Sequence, residues 1–416
     1  MPAQQIFQHT FANGLTLLAD RMTDVRSAAM NFLIPAGCVY DPPDQLGLAT
    51  VLADLITRGA GTRDSRQLSL ALDNLGFDRD ESVGALHIRF WGATTARNLP
   101  KALEIYADII RRPHLPEQEL PAVKSLALQD IQSLEDEPRL RVMIELRKRF
   151  YSIPLGRDHR GTKEGIENLT IDSIRSWYEQ RFRPKNSILA VAGNMEWEPL
   201  CDLVGRLFGD WQGEADTQLE LTRQLPSTFH LQKDTTQTQI GIAYPSVPIG
   251  HDDYYAALGA VNVLSGGMSS RLFTEVREKR ALCYAVGASY HSFKHEAGVI
   301  CYAGTTNERA QETLDVTLHE LRRLQEGVAE EEVERIRAGL KSSLILQQES
   351  TSARAAALCH DWYYLGRIRT FDEIAEAING LSAEKIVDFV RRYPPGPFTI
   401  VTLGPKALRV PTPEVG

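Results

Sequence analysis

Apolar residues fall along this chain in two rhythms. Aliphatic and β-branched runs at positions 187–193, 238–244, 298–302 and 398–404 read as buried strands. Between them lie stretches with helical spacing. Leu99, Ala102, Leu103, Tyr106, Ile109 and Ile110 share one face, as do Leu314, Leu318, Leu321 and Leu324. Thr170 and Ser382 each stand just before a helical stretch, where a hydroxyl can accept from an unpaired backbone N–H, so both are read as N-caps. Helical pairs such as residues 98–112 followed by 117–136 lie between strands, in place of one helix per strand. This predicts an α+β fold, with antiparallel sheets packed against helices, and not a doubly wound parallel sheet.

The pattern occurs twice. Gly92-Ala93-Thr94-Thr95 ends one strand pattern and precedes an amphipathic helix; Ala303-Gly304-Thr305-Thr306 does the same. Thr94 and Thr305 are 211 positions apart (305 − 94), and so are the strand-ending Gly193 and Gly404 (404 − 193). Leu115-Pro116-Glu117-Gln118-Glu119-Leu120 and Val328-Ala329-Glu330-Glu331-Glu332-Val333 open matching helices between these landmarks. Ordered matches at nearly one offset imply a duplication. The 416 residues are also too many for one ordinary core. The expected division is a domain over residues 1–212, a polar linker over 213–228 and a homologous domain over 229–416.

Composition removes several function classes. The net charge is −8 and no basic stripe exists, so nucleic acid is not an expected partner. No run of about 18 apolar residues is present, so no membrane partner is expected. The first residues show no basic start followed by an apolar stretch; the expected location is the cytoplasm, with the periplasm left open. Cys38, Cys201, Cys283, Cys301 and Cys359 are dispersed and read as free thiols. The ten histidines are scattered, and His291 and His295, the one closely spaced pair, fall in an expected hairpin.

Three segments carry a resemblance to a known family. Residues 11–18 (Phe-Ala-Asn-Gly-Leu-Thr-Leu-Leu) look like the opening strand of the insulinase/pitrilysin superfamily of zinc peptidases, which includes the mitochondrial processing peptidase. Residues 36–49, from Ala36-Gly37-Cys38 to Gly47-Leu48-Ala49, match what precedes that family's zinc helix. The family motif is H-x-x-E-H on a helix. Two His at i and i+4 share one metal, and the Glu acts as general base. Here the matching helix keeps its apolar face of Leu48, Val51, Leu52 and Leu55, but Thr50, Ala53 and Asp54 stand at the two His and the Glu positions: Thr50 for the first His, Ala53 for the Glu, Asp54 for the second His. Near the third ligand lie Gln129 and Asp130, where the family prefers Glu. Residues 75–82, which in the family help hold the substrate backbone, also depart from its signature. The expectation is therefore no metal and no catalytic residue in this chain alone, with zinc in a partner.

The second half keeps a family signature, Ser270-Arg271-Leu272-Phe273-Thr274-Glu275-Val276-Arg277-Glu278-Lys279-Arg280-Ala281-Leu282-Cys283-Tyr284. Active relatives use an Arg and a Tyr seven positions apart, similar to Arg277 and Tyr284. Attack on a peptide carbonyl creates a negative oxygen, and both residue types can donate to it or to the substrate backbone. Ala281 and Cys283 stand where the family prefers Gly and a small residue. The long Gly-rich loop of the mitochondrial α subunit is missing. In the family, four such domains form a chamber, from one long chain or two short ones. The resemblance thus implies a non-catalytic subunit of a heterodimeric zinc metallopeptidase, contributing Arg277 and Tyr284 to peptide binding and transition-state stabilisation beside a homologous zinc-bearing partner. The alternative is a structural or peptide-binding homologue with no role in proteolysis.

Overall fold

The computed structural model describes residues 4–216 and 218–410. Residues 1–3 and 411–416, at the outer limits of the two expected domains, and Thr217, inside the expected linker, lie outside the described residues. The first sheet draws on β1 (Gln5–Thr10), β2 (Thr16–Arg21), β3 (Ser27–Ile34), β6 (Asp78–Val83), β7 (Ile88–Thr95) and β8 (Ile188–Gly193). The short β4 (Gly59–Ala60) and β5 (Arg63–Asp64) form a separate ribbon. The second sheet uses β9 (Thr228–Gln232), β10 (Gln237–Ser246), β11 (Cys283–Ser292), β12 (Ala297–Thr306) and β13 (Thr399–Gly404).

The first sheet runs β1-β2-β8-β3-β7-β6 and the second β11-β12-β10-β13-β9. Read from the other side, the second has the order of the first without β1. Strand directions agree as well. β2 and β8 are parallel, as are β9 and β13, and every other pair is antiparallel. One topology occurs twice, so the chain has two homologous α+β domains. Burial follows strand position. β8 and β13 are buried along their whole length, whereas the edge strand β6 alternates between exposed and half-buried residues. Central strands covered on both faces read as continuous apolar runs, and edge strands do not.

The compact units are not contiguous stretches of chain. One comprises Met1–Ser133, Arg157–Glu220 and Leu346–Tyr363; the other comprises Leu134–Gly156, Leu221–Ile345 and Tyr364–Gly416. The helix Pro138–Phe150 therefore belongs with the second sheet, and most of the helix Thr351–Leu365 with the first. Their first residues are 213 positions apart (351 − 138), close to the repeat offset. Equivalent helices have been exchanged between equivalent units.

Each sheet admits its exchanged helix through small side chains. In the first unit, Ala28, Met30 and Phe32 of β3 face the main core, while Ala29 joins Ala192 and Ala355 in a separate cluster. On that second face Arg354 donates to Asp20 (3.1 Å), Cys359 donates to the carbonyl of Asn31 (3.3 Å) and Tyr363 meets His87 edge-to-face. In the second unit Gly241 of β10 lies under Val142 and Leu146, and Arg139 stacks on Tyr302.

The sequence-based capping assignments agree with the structure. Ser173 N–H donates to the Thr170 hydroxyl and Lys385 N–H to that of Ser382, both at 3.1 Å. His291 lies on β11 and His295 in the turn that follows. Residues 213–227, leaving aside Thr217, form neither helix nor strand; Thr222 makes an isolated bridge to Ile153. No helix among the described residues is long and apolar enough to cross a membrane.

Candidate functional site

In the first unit the helix Leu48–Leu55 forms as its spacing predicts, with Leu48, Val51, Leu52 and Leu55 wholly buried. Its entry is fixed by Asp41, whose carboxylate accepts from Gly47 N–H (2.8 Å) and Ala49 N–H (3.0 Å). Burial pushes Asp41 up to about 7, against these two donors. Gly47 has φ 103°, and a Cβ there would lie 2.4 Å from Ile166 and 2.8 Å from the Arg160 carbonyl, so no larger residue fits.

The three altered positions are engaged locally. The Thr50 hydroxyl donates to the His159 carbonyl. Ala53 is buried and offers no polar atom. Asp54 pairs with Arg58 one turn on, at 2.9 Å. Gln129 and Asp130 are exposed on the helix Leu120–Ser133. Glu81 on β6, which the sequence reading did not single out, lies beside the helix; burial pushes it up to about 7, with Asp80 and Asp54 adding negative charge. Zinc needs three or four converging imidazole, thiolate or carboxylate donors. No such group is found among the described residues, and the side chains at Thr50, Ala53 and Asp54 do not fit the metal.

The second unit holds a segment of a different character. Residues Phe273–Glu278 form a π-helical turn, in which Lys279 N–H donates five residues back to the Thr274 carbonyl at 2.9 Å. Ala281 follows with φ 48°, the left-handed region that disfavours a side chain. A glycine would take this conformation without that cost. β11 then pairs with β12 through a register shift between Cys283 and Ala285, which leaves Tyr284 on a bulge. Three departures from regular backbone fall within a dozen residues, and such π-turns and bulges are over-represented at functional sites.

What they aim is a pair. The Arg277 guanidinium lies 5.0 Å from the centre of the Tyr284 ring and 4.6 Å from that of Phe273. Arg277 is half-buried and makes no ion pair among the described residues. Tyr284 is 82 % exposed. A cation held against two ring faces keeps its N–H donors for another acceptor. The structure thus brings Arg277 and Tyr284 together as one surface feature.

Comparison with known proteins gives two family matches along the chain. Residues 17–163 match the family described as insulinase (peptidase family M16), and residues 168–340 match the peptidase M16 inactive domain. An uncharacterised zinc protease of Rickettsia bellii is 28 % identical over 403 residues, covering 95 % of this chain and 97 % of its own. One of Bacillus subtilis is 27 % identical over 406 residues, covering 96 % and 98 %. Among solved structures, a peptidase M16 inactive domain from Pseudomonas fluorescens is similar with TM-score 0.89, 19 % identity and coverage of 98 % and 99 %. A protease from Helicobacter pylori is similar with TM-score 0.88, 18 % identity and coverage of 97 % and 100 %.

Proposed function

We propose, from the premise that this chain belongs to the insulinase family of peptidases, M16, that it is the non-catalytic subunit of a two-chain zinc peptidase. In this reading it binds a homologous zinc-bearing subunit, and Arg277 and Tyr284 act on the peptide held there. The observation that carries the reading is an asymmetry. The positions of the zinc helix are filled by Thr50, Ala53 and Asp54, engaged in local contacts or without a donor, while the Arg277–Tyr284 segment keeps a specialised backbone and an exposed phenol. A protein used only as a scaffold gains nothing from a strained turn that presents an open guanidinium and a tyrosine.

The chemistry fits those two groups. A peptide carbonyl under attack gathers negative charge on its oxygen, and a phenol O–H can donate to it as the charge grows. The guanidinium, planar and always charged, can take a backbone carbonyl of the peptide and fix its register.

Mixing the purified chain with a zinc-bearing M16 subunit from the same organism tests this. The chain alone should not cleave an unfolded peptide; the mixture should. Arg277→Ala and Tyr284→Phe should each lower kcat/KM by roughly ten- to a thousandfold while the two chains still co-elute. Full-speed cleavage with both residues replaced would show that they do not act on substrate. Failure to pair with any zinc-bearing relative would leave the scaffold reading in its place.

A further inference from the structure

A π-helical turn is less well bonded than the α-helix it interrupts, and persists only where its surroundings hold it. In this segment the holding centres on Glu275, a buried carboxylate beneath the turn. Lys279 donates to Oε1 at 2.8 Å. Arg280 uses one nitrogen for two acceptors, the carboxylate Oε2 and the main-chain carbonyl of Glu275, each at 2.7 Å. The second of these matters because a five-residue step displaces the regular carbonyl partners of the turn. Arg323, from the helix Ala310–Arg323, approaches Oε1 at 4.0 Å and is itself bound to the buried Glu320 at 2.9 Å. The line Glu320–Arg323–Glu275–Arg280 therefore ties the turn to the core helix beside it.

The path onward to Tyr284 is held as firmly. Arg309 donates to the Ala281 carbonyl, Leu282 N–H donates back to the Val276 carbonyl at 3.0 Å, and the Thr305 hydroxyl donates to the Leu282 carbonyl at 2.5 Å. Arg277 and Tyr284 make none of these bonds themselves; their relative placement is set by the backbone between them.

We propose that Glu275 is the positioning residue of this segment: its carboxylate, gripped by Lys279, Arg280 and Arg323, fixes the π-helical turn so that Arg277 and Tyr284 are presented as a preformed pair. Without that carboxylate, Lys279 loses its acceptor, while Arg280 is left with the main-chain carbonyl and Arg323 with Glu320. That Glu275 serves substrate handling rests on the subunit reading; that it sets the geometry does not. Hydrogen bonds to Lys279 and Arg280 hold its carboxyl down at about 2, so the anion is the form present near neutral pH.

The experiment has one arm on the chain alone and one on the complex. In the full chain labelled with 15N-arginine, the Arg277 Nε–H signal is assigned by its loss in Arg277→Ala. The Tyr284 ring-current contribution is the shift it undergoes in Tyr284→Leu. In Glu275→Gln, with folding checked by circular dichroism, the signal should move to its Tyr284→Leu position. Arg280→Leu, which removes the grip on the carbonyl and leaves the charge of Glu275, should move it the same way and serves if Glu275→Gln does not fold. Glu275→Asp should recover part of the shift. A signal unmoved in the folded Glu275→Gln or Arg280→Leu chain overturns the proposal. In the complex, Glu275→Gln should lower kcat roughly ten- to a hundredfold with KM little changed. A lost shift with unchanged cleavage leaves the positioning role standing and removes the action of Arg277 and Tyr284 on substrate.

Discussion

Ala281 sits at φ 48°, where its methyl group costs ~1–2 kcal/mol relative to a relaxed backbone. Ala281→Gly removes that strain, while glycine's greater freedom in the unfolded chain offsets part of the gain. The net expectation is a stabilisation of ~1 kcal/mol, read as a higher denaturant midpoint at constant slope. An unchanged or lower midpoint would show that the turn stores no strain at this residue. Glu275 gives a second expectation. Its bonds to Lys279 and Arg280 lower it to about 2 from an ordinary value near 4.5, so the folded chain holds fewer protons here than the unfolded chain between those values. The stability it supplies is complete above pH ~4.5 and is lost as pH falls toward ~2. Chemical denaturation of wild type and Glu275→Gln from pH 6 to pH 2.5 should show a gap that closes on the acid side. A gap constant with pH would mean the carboxylate is not held by those cations. Both residues stand in plain view in the sequence. The i,i+4 spacing of Glu275 and Lys279 could have drawn attention to the ion pair, but the approach of Arg323 from another helix could not be read from spacing.

The exchanged helix Pro138–Phe150 needs a smooth surface on the second sheet, and Gly241 is part of it. A Cβ at Gly241 would lie 2.9 Å from Val142 and 3.2 Å from Leu146, both completely buried and unable to turn away. Gly241→Val should destabilise the protein by roughly 1–3 kcal/mol through overpacking. Combining it with Val142→Ala should return part of that loss, because the second change makes room for the first. Equal denaturant midpoints for Gly241→Val and wild type would mean that the helix does not press on β10 at this point. At this scale the sequence was informative about type and silent about partner. Residues 238–244 read as a strand from their apolar run, and a glycine inside a strand is a sign of close approach. Which helix approaches it depends on contacts between residues about a hundred positions apart.

Across the whole molecule, two properties were legible from residue order alone. The offset of 211 between matching landmarks implied one topology used twice, and the strand order and directions of the two sheets agree. The identities of Thr50, Ala53 and Asp54 put no imidazole at the helix positions matched to H-x-x-E-H, and metal chemistry depends on residue type at fixed helical spacing. The units themselves were a decision of tertiary structure. A hydrophobic stripe states that one helix face must be buried, not which sheet will bury it. Leu134–Gly156 and Leu346–Tyr363 carry no mark in their pattern of which sheet takes them, and each lies against small residues, Gly241 in one unit and Ala29 and Ala192 in the other. The same holds for the Arg277–Tyr284 pair. The sequence supplied the two residue types, but a π-turn, a left-handed alanine and a bulge are backbone states held by remote partners such as Arg323 and Thr305. No periodicity along the chain encodes them, because the bonds that make them stable exist only once the neighbouring helix and strand are in place.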